Sequence, residues 1–145
     1  MSDQRIGQGP GNLVPDSDTK EFLAGEAIAI GELVALSTAA TGTARGYTVV
    51  LADSGAAATT IVVGVASAAV ADGDWGTFYT GGYVPMVKTD GSVSLGDWLV
   101  AHTVDGEVST MADGEEEQVI GMATAADGDG TLDADQACII FFKRV

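Results

Sequence analysis

Apolar residues in this chain come in short runs, and each run is cut off by Gly, Asp or Ser. The runs cover 27–30, 33–36, 47–51, 60–66, 77–80, 84–87, 98–101, 108–110, 119–123 and 137–142. They are rich in Val, Ile, Thr and aromatic residues, which fit a pleated, half-buried surface. No stretch of eleven or more residues repeats its apolar positions every 3.6 residues, so no long amphipathic helix is expected. Gly accounts for 20 of 145 residues, enough to supply many tight turns. The expected fold is all-β, a small β-barrel or β-sandwich of one domain. Residues 80–83 (Thr-Gly-Gly-Tyr) and 104–107 (Val-Asp-Gly-Glu) read as hairpin turns. The Ala-rich piece 67–71 reads as one short helical turn.

Two sequence patterns recur in the same order. Ile30-Gly31-Glu32-Leu33-Val34-Ala35 resembles the run from Leu95 to Ala101, and 62–68 matches 119–125 position by position. Each second pattern leads to an acidic turn, Asp72-Gly73-Asp74 or Asp127-Gly128-Asp129. This order suggests an internal duplication, with repeats over 26–90 and 91–145. Each unit would supply a few strands, and the pair would close into one β domain that hides its edges. Residues 1–21 hold Gly7, Gly9, Pro10, Gly11 and Pro15 without apolar periodicity. They read as an extended N-terminal arm ahead of a 22–145 body.

Charge and composition exclude several functions. The formal net charge is −15, which repels phosphate, and the six basic residues are scattered. Nucleic acid and anionic membrane surfaces are therefore not expected partners. The longest uncharged run, 54–71, is rich in Ala, Gly and Thr and reads as loop and strand, not as a membrane span. No basic and apolar opening segment reads as a signal peptide.

Candidate chemistry is sparse. His102 is the only histidine and stands beside a turn, with no nucleophile pattern near it. Cys138 lies in an apolar run and reads as an inert buried thiol. The carboxylate pairs Asp72/Asp74, Asp127/Asp129 and Asp133/Asp135 sit in predicted loops and read as solvated. The run from Asp127 to Asp135 fails the calcium-loop pattern, because its sixth position is Leu132 and its twelfth Cys138. No catalytic residue, metal site or cofactor is assigned, and the expectation is a protein that is not an enzyme.

The pattern from Ala24 to Leu36, the Val62–Ala66 run with Gly73-Asp74 and Gly81-Gly82, and the later runs 95–100 and 120–123 resemble the capsid decoration (cement) proteins of tailed bacteriophages and related prophage head proteins. The resemblance covers roughly 22–142. It implies a β-rich, non-enzymatic virion protein, made in the host cytoplasm, that forms a homotrimer on the outer capsid surface. There it would clamp major capsid subunits and stabilise the expanded head. An arm of this kind would bind the capsid, with Arg5 and Lys20 meeting acidic groups and Leu13 and Val14 as apolar anchors. Trp75 and Trp98 are candidates for the core or for an oligomer interface. The rival expectation is a carbohydrate- or cell-surface-binding β module using Trp75, Tyr79 and Tyr83.

Overall fold

A computed structural model describes residues 17–53, 61–114 and 119–126, and the main chain of 139–141. It is all-β. The strands are β1 (Ser17–Ala24), β2 (Leu33–Leu36), β3 (Thr48–Leu51), β4 (Val62–Ala66), β5 (Trp75–Val84), β6 (Trp98–Ala101), β7 (Val108–Thr110), β8 (Gly121–Ala123) and β9 (Ile139–Phe141). A single 3₁₀ turn at Gly42–Ala44 is the helical piece among the described residues.

Strand order β1-β3-β2-β4-β5 is closed by pairing of β5 back onto β1, which makes a five-stranded barrel. From β5 the sheet continues as β9-β8-β6-β7. Closure hides the edges that an open sheet would expose.

The two recurring sequence patterns fold into the same register. Leu33↔Val65 and Val34↔Gly64 join β2 to β4, and Trp98↔Met122 and Leu99↔Gly121 join β6 to β8. Ala35↔Val50 and Leu36↔Val49 are matched by Val100↔Ser109 and Ala101↔Val108. Val65↔Tyr79 and Ala66↔Phe78 are matched by Met122↔Ile140 and Ala123↔Ile139. The parallel contact Ala24↔Val49, which seats β1, is matched by a parallel bridge, Thr89↔Val108.

The recurring Gly-acid pair explains itself in this frame. Gly31 (φ 82°) and Gly96 (φ 89°) take a left-handed conformation in the turns that enter β2 and β6. The acid that follows then fastens the turn. Glu32 Oε1 accepts the Ala29 amide at 2.7 Å, and Asp97 Oδ2 accepts the Ser94 amide at 2.8 Å. The glycine of the second pattern meets a different need. A Cβ on Gly64 would press into the carbonyl oxygen of Tyr79 on β5. Gly64→Ala is expected to cost about 1–3 kcal/mol through this forced shift, read as a lower urea midpoint.

β5 pairs with strands of both units. Gly82–Val84 pairs with β9, and after 85–87 the chain returns to place Lys88 and Thr89 beside β7. Residues 82–89 thus do for the second unit what β1 does for the first. Gly81-Gly82 is correspondingly no hairpin turn. Between Asp18 and Thr19 of β1 the register jumps from Gly81 to Tyr79, leaving Thr80 as the extra residue of a bulge. Gly82 takes φ 76°, and the bulge lets one long strand serve both units. The second predicted turn is present: the Glu107 amide donates to the Val104 carbonyl at 3.3 Å between β6 and β7.

Three further expectations change. Ser17–Glu21, assigned above to the arm, belongs to β1, which is paired with β5 from Ser17 to Leu23. Residues 27–30 form no strand; Ile28 alone bridges to Val70. Residues 67–71 form a bend that leads into that bridge, not a helical turn. Most of the arm, 1–16, lies outside the described residues.

Alternating side chains build two cores. Val34, Val49, Ala66, Phe78, Ala24 and Ile28 fill the first barrel. Their register equivalents Leu99, Val108, Ala123 and Val93 lie in the second core. That second core also takes in Leu33, Ala35 and Val65, which point out of the first barrel from β2 and β4. The second unit therefore packs on the outer face of the first.

Candidate functional site

The residues raised by the sequence fall in separate places. His102 follows β6, with a side chain 28% exposed. Its Nδ1 accepts the Val104 amide at 3.2 Å and lies 3.5 Å from Glu107 Oε1. This geometry shapes the β6–β7 turn. Asp72 and Asp74 are exposed and flank Gly73 (φ 85°) in a turn closed by the Asp74 amide on the Ala71 carbonyl at 3.0 Å. Cys138 and the run from Asp127 to Asp135 lie outside the described residues, as do Arg5, Leu13 and Val14. Lys20 is exposed on β1, opposite Phe78 of β5.

A polar seam joins the two units, and it was not visible in the sequence because its members are far apart along the chain. Glu32 is only 8% exposed. Lys88 Nζ lies 3.5 Å from Glu32 Oε2 and 3.8 Å from Glu107 Oε2. The main chain seals the same seam: the Leu33 amide donates to Gly106 O at 2.8 Å, the Gly106 amide to Ala52 O at 2.9 Å, and the Lys88 amide to Gly31 O at 2.8 Å. Gly106 (φ 80°) brings its backbone against Glu32 and Leu51, where a Cβ would have 3.1–3.2 Å of room. The Lys88 side chain is 40% exposed, so water screens its ion pairs. Lys88→Met is expected to change stability by less than about 1 kcal/mol, and by less still in high salt. Thermal unfolding at two salt concentrations checks this.

The exposed apolar side chains are more informative. Trp75 is 56% exposed at the start of β5. Its ring stacks on Tyr47 with centroids 5.2 Å apart and planes 23° apart. Leu23 of β1 is its cross-strand neighbour. Neither tryptophan is a core residue. Trp98 is 45% exposed on β6 opposite Met122, and Leu95, in the turn before it, is 70% exposed. Trp75, Tyr79 and Tyr83 do not form one aromatic platform, because Tyr79 packs against the second core. The partner of Trp75 is Tyr47, which the sequence reading had not singled out. No local signal could have found it: Tyr47 precedes β3, and β1 lies between β3 and the strand that begins with Trp75.

No protein family matches the sequence, and no curated protein matches it. Among solved structures, the chain is similar to the N base of the head fiber protein gp8.5 of bacteriophage phi29. That likeness has a TM-score of 0.56 at 18% identity and covers 90% of this chain and 98% of the other.

Proposed function

We propose that this chain is a structural protein of a tailed-phage head, seated on the outer face of the capsid and without catalytic activity. The observation that carries the reading is the fold correspondence with a head fiber base, which extends over nearly the whole of both chains. The sequence resemblance to capsid decoration proteins points to the same place by a separate route. In this reading the chain assembles as a homotrimer, contacts the major capsid protein and clamps neighbouring subunits of the expanded head. The arm makes the capsid contact through Arg5, Leu13 and Val14, with Lys20 at its foot on β1. A net charge of −15 suits a protein that faces outward, away from packaged nucleic acid. Repetition over a capsid lattice multiplies individually weak contacts.

Co-sedimentation with expanded capsid shells, assembled from the major capsid protein of the same particle, tests this. The full chain is expected to pellet with the shells, and a chain lacking 1–16 to bind at least about tenfold more weakly. A full chain that stays in the supernatant with intact shells rejects the reading.

A second reading has one observation in its favour. The exposed Tyr47–Trp75 stack is the kind of surface on which a sugar ring packs. Binding on a glycan array that is lost in Trp75→Ala would favour a carbohydrate-binding module.

A further inference from the structure

We infer that the free edge of β1 is self-complementary: two copies of this chain pair their β1 strands antiparallel, centred on Thr19, with Lys20 of each copy facing Asp18 of the other. The inference goes beyond the proposed reading. It gives Lys20 an acidic partner in a second copy of the chain.

The barrel closes β1 onto β3 only at Leu23 and Ala24. Ahead of that contact β1 pairs along one edge, with β5. Hydrogen bonds fix which residues turn which way. Ala24 turns to the β5 side, where its amide donates to Asp74 O at 2.9 Å. Asp18 turns the same way, and its carbonyl accepts the Thr80 hydroxyl at 3.4 Å. Leu23 turns to the opposite side, where its amide donates to Tyr47 O at 2.9 Å. The bulge adds its extra residue to β5, so the alternation along β1 is unbroken. Thr19 and Glu21 therefore turn their main-chain groups the same way as Leu23, away from β5. Among the described residues none bonds to those groups of Thr19 and Glu21. Ser17–Glu21 is exposed throughout.

An open edge is a template for another strand, and charge on it turns most strands away. The order of charges here admits one partner in one register. In an antiparallel pair, residues that turn outward must face residues that turn outward. Centring the pair on Thr19 meets this condition. The main chains of the two Thr19 residues then bond to each other, and Glu21 of each copy lies opposite Ser17 of the other. Asp18 and Lys20 share one face of β1, and each lies opposite its counter-charge across the pair. Centring on Asp18 would oppose Asp18 to Asp18, and centring on Lys20 would oppose Lys20 to Lys20. Tyr47, bonded to Leu23, stops the pairing beyond Phe22, so the paired stretch is the exposed one.

The contact is isologous and joins copies two by two, so it is separate from the trimer contact proposed above. Each copy carries a formal charge of −15, and this repulsion keeps the pairing weak unless salt screens it or a lattice holds copies side by side.

Sedimentation velocity of the full chain without capsid, up to about 1 mM and in about 0.15 M salt, tests this. The wild type is expected to double its mass as concentration rises. Asp18→Lys and Lys20→Glu are each expected to weaken this at least about tenfold, because like charges then face each other. Their equimolar mixture is expected to regain it: the introduced lysine faces the introduced glutamate, and the remaining Lys20 faces the remaining Asp18. Net charge does not account for such a pattern. The mixture carries the wild-type total, and Asp18→Lys alone lowers the repulsion between copies. Thr19→Pro removes an N–H that points away from β5, and is expected to abolish the doubling with wild-type circular dichroism. A wild type that does not associate, a mixture no tighter than its components, or a doubling that survives Thr19→Pro overturns the inference. So does a doubling lost when residues 1–16 are removed, which would assign the contact to the arm. None of these outcomes bears on capsid binding, which has its own test.

Discussion

Truncation of Phe78 to Ala is expected to cost about 3–5 kcal/mol, a large share of the roughly 5–15 kcal/mol that keeps such a domain folded. Phe78 is fully buried at the centre of β5 and meets Phe22 edge to face, with centroids 5.9 Å apart. Around it stand Val34, Val49 and Ala66 from three other strands. A closed barrel cannot collapse easily into the space a missing ring leaves, because every strand is pinned on both sides. Both the lost transfer energy and the cavity therefore count. The melting temperature should fall by roughly 10 °C or more, followed by circular dichroism. A near wild-type melt would mean that the interior of the first barrel is not packed as described.

The second large effect is a contrast between equivalent positions. Leu33 and Trp98 occupy the same register in the two units. Leu33 is 0% exposed because the second unit covers it, and Leu33→Ala is expected to cost about 2–5 kcal/mol. Trp98 is 45% exposed, and Trp98→Ala in the monomer should cost about 1 kcal/mol, although the deleted side chain is the larger. Urea unfolding at low protein concentration measures both. Equal costs would contradict the packing of the second unit on the outer face of β2 and β4.

Much of this fold could be read from the residues because each strand in question is bounded by turn chemistry. The run 33–36 is β2 itself, flanked by Gly31-Glu32 and Ser37. The runs at 98–101 and 108–110 are β6 and β7. β1 could not be read, because Ser-Asp-Thr-Lys-Glu carries no apolar alternation and its first five residues are exposed. It is a strand because β5 offers it a long line of backbone partners, a tertiary cause that no local pattern records. The order of the repeated patterns was legible in the residues. The segments that open the two units, Ser17–Ala24 and 82–89, share no sequence pattern, and the second begins inside β5. Trp75 and Trp98 stood out by size alone. That Trp98 shares the register position of buried Leu33 followed only from the folded strands. Among the described residues, the seam of Glu32, Lys88 and Glu107 needed the folded chain to bring its members together.

We propose above that this chain is seated on the outside of a phage head. Electron cryomicroscopy of expanded capsids incubated with the purified chain, compared with bare capsids, tests it most directly. Added β-rich density is expected at repeated positions on the outer surface, into which the two-unit fold fits and which is weakened when residues 1–16 are removed. Identical maps with and without the chain, at saturating protein, would contradict it.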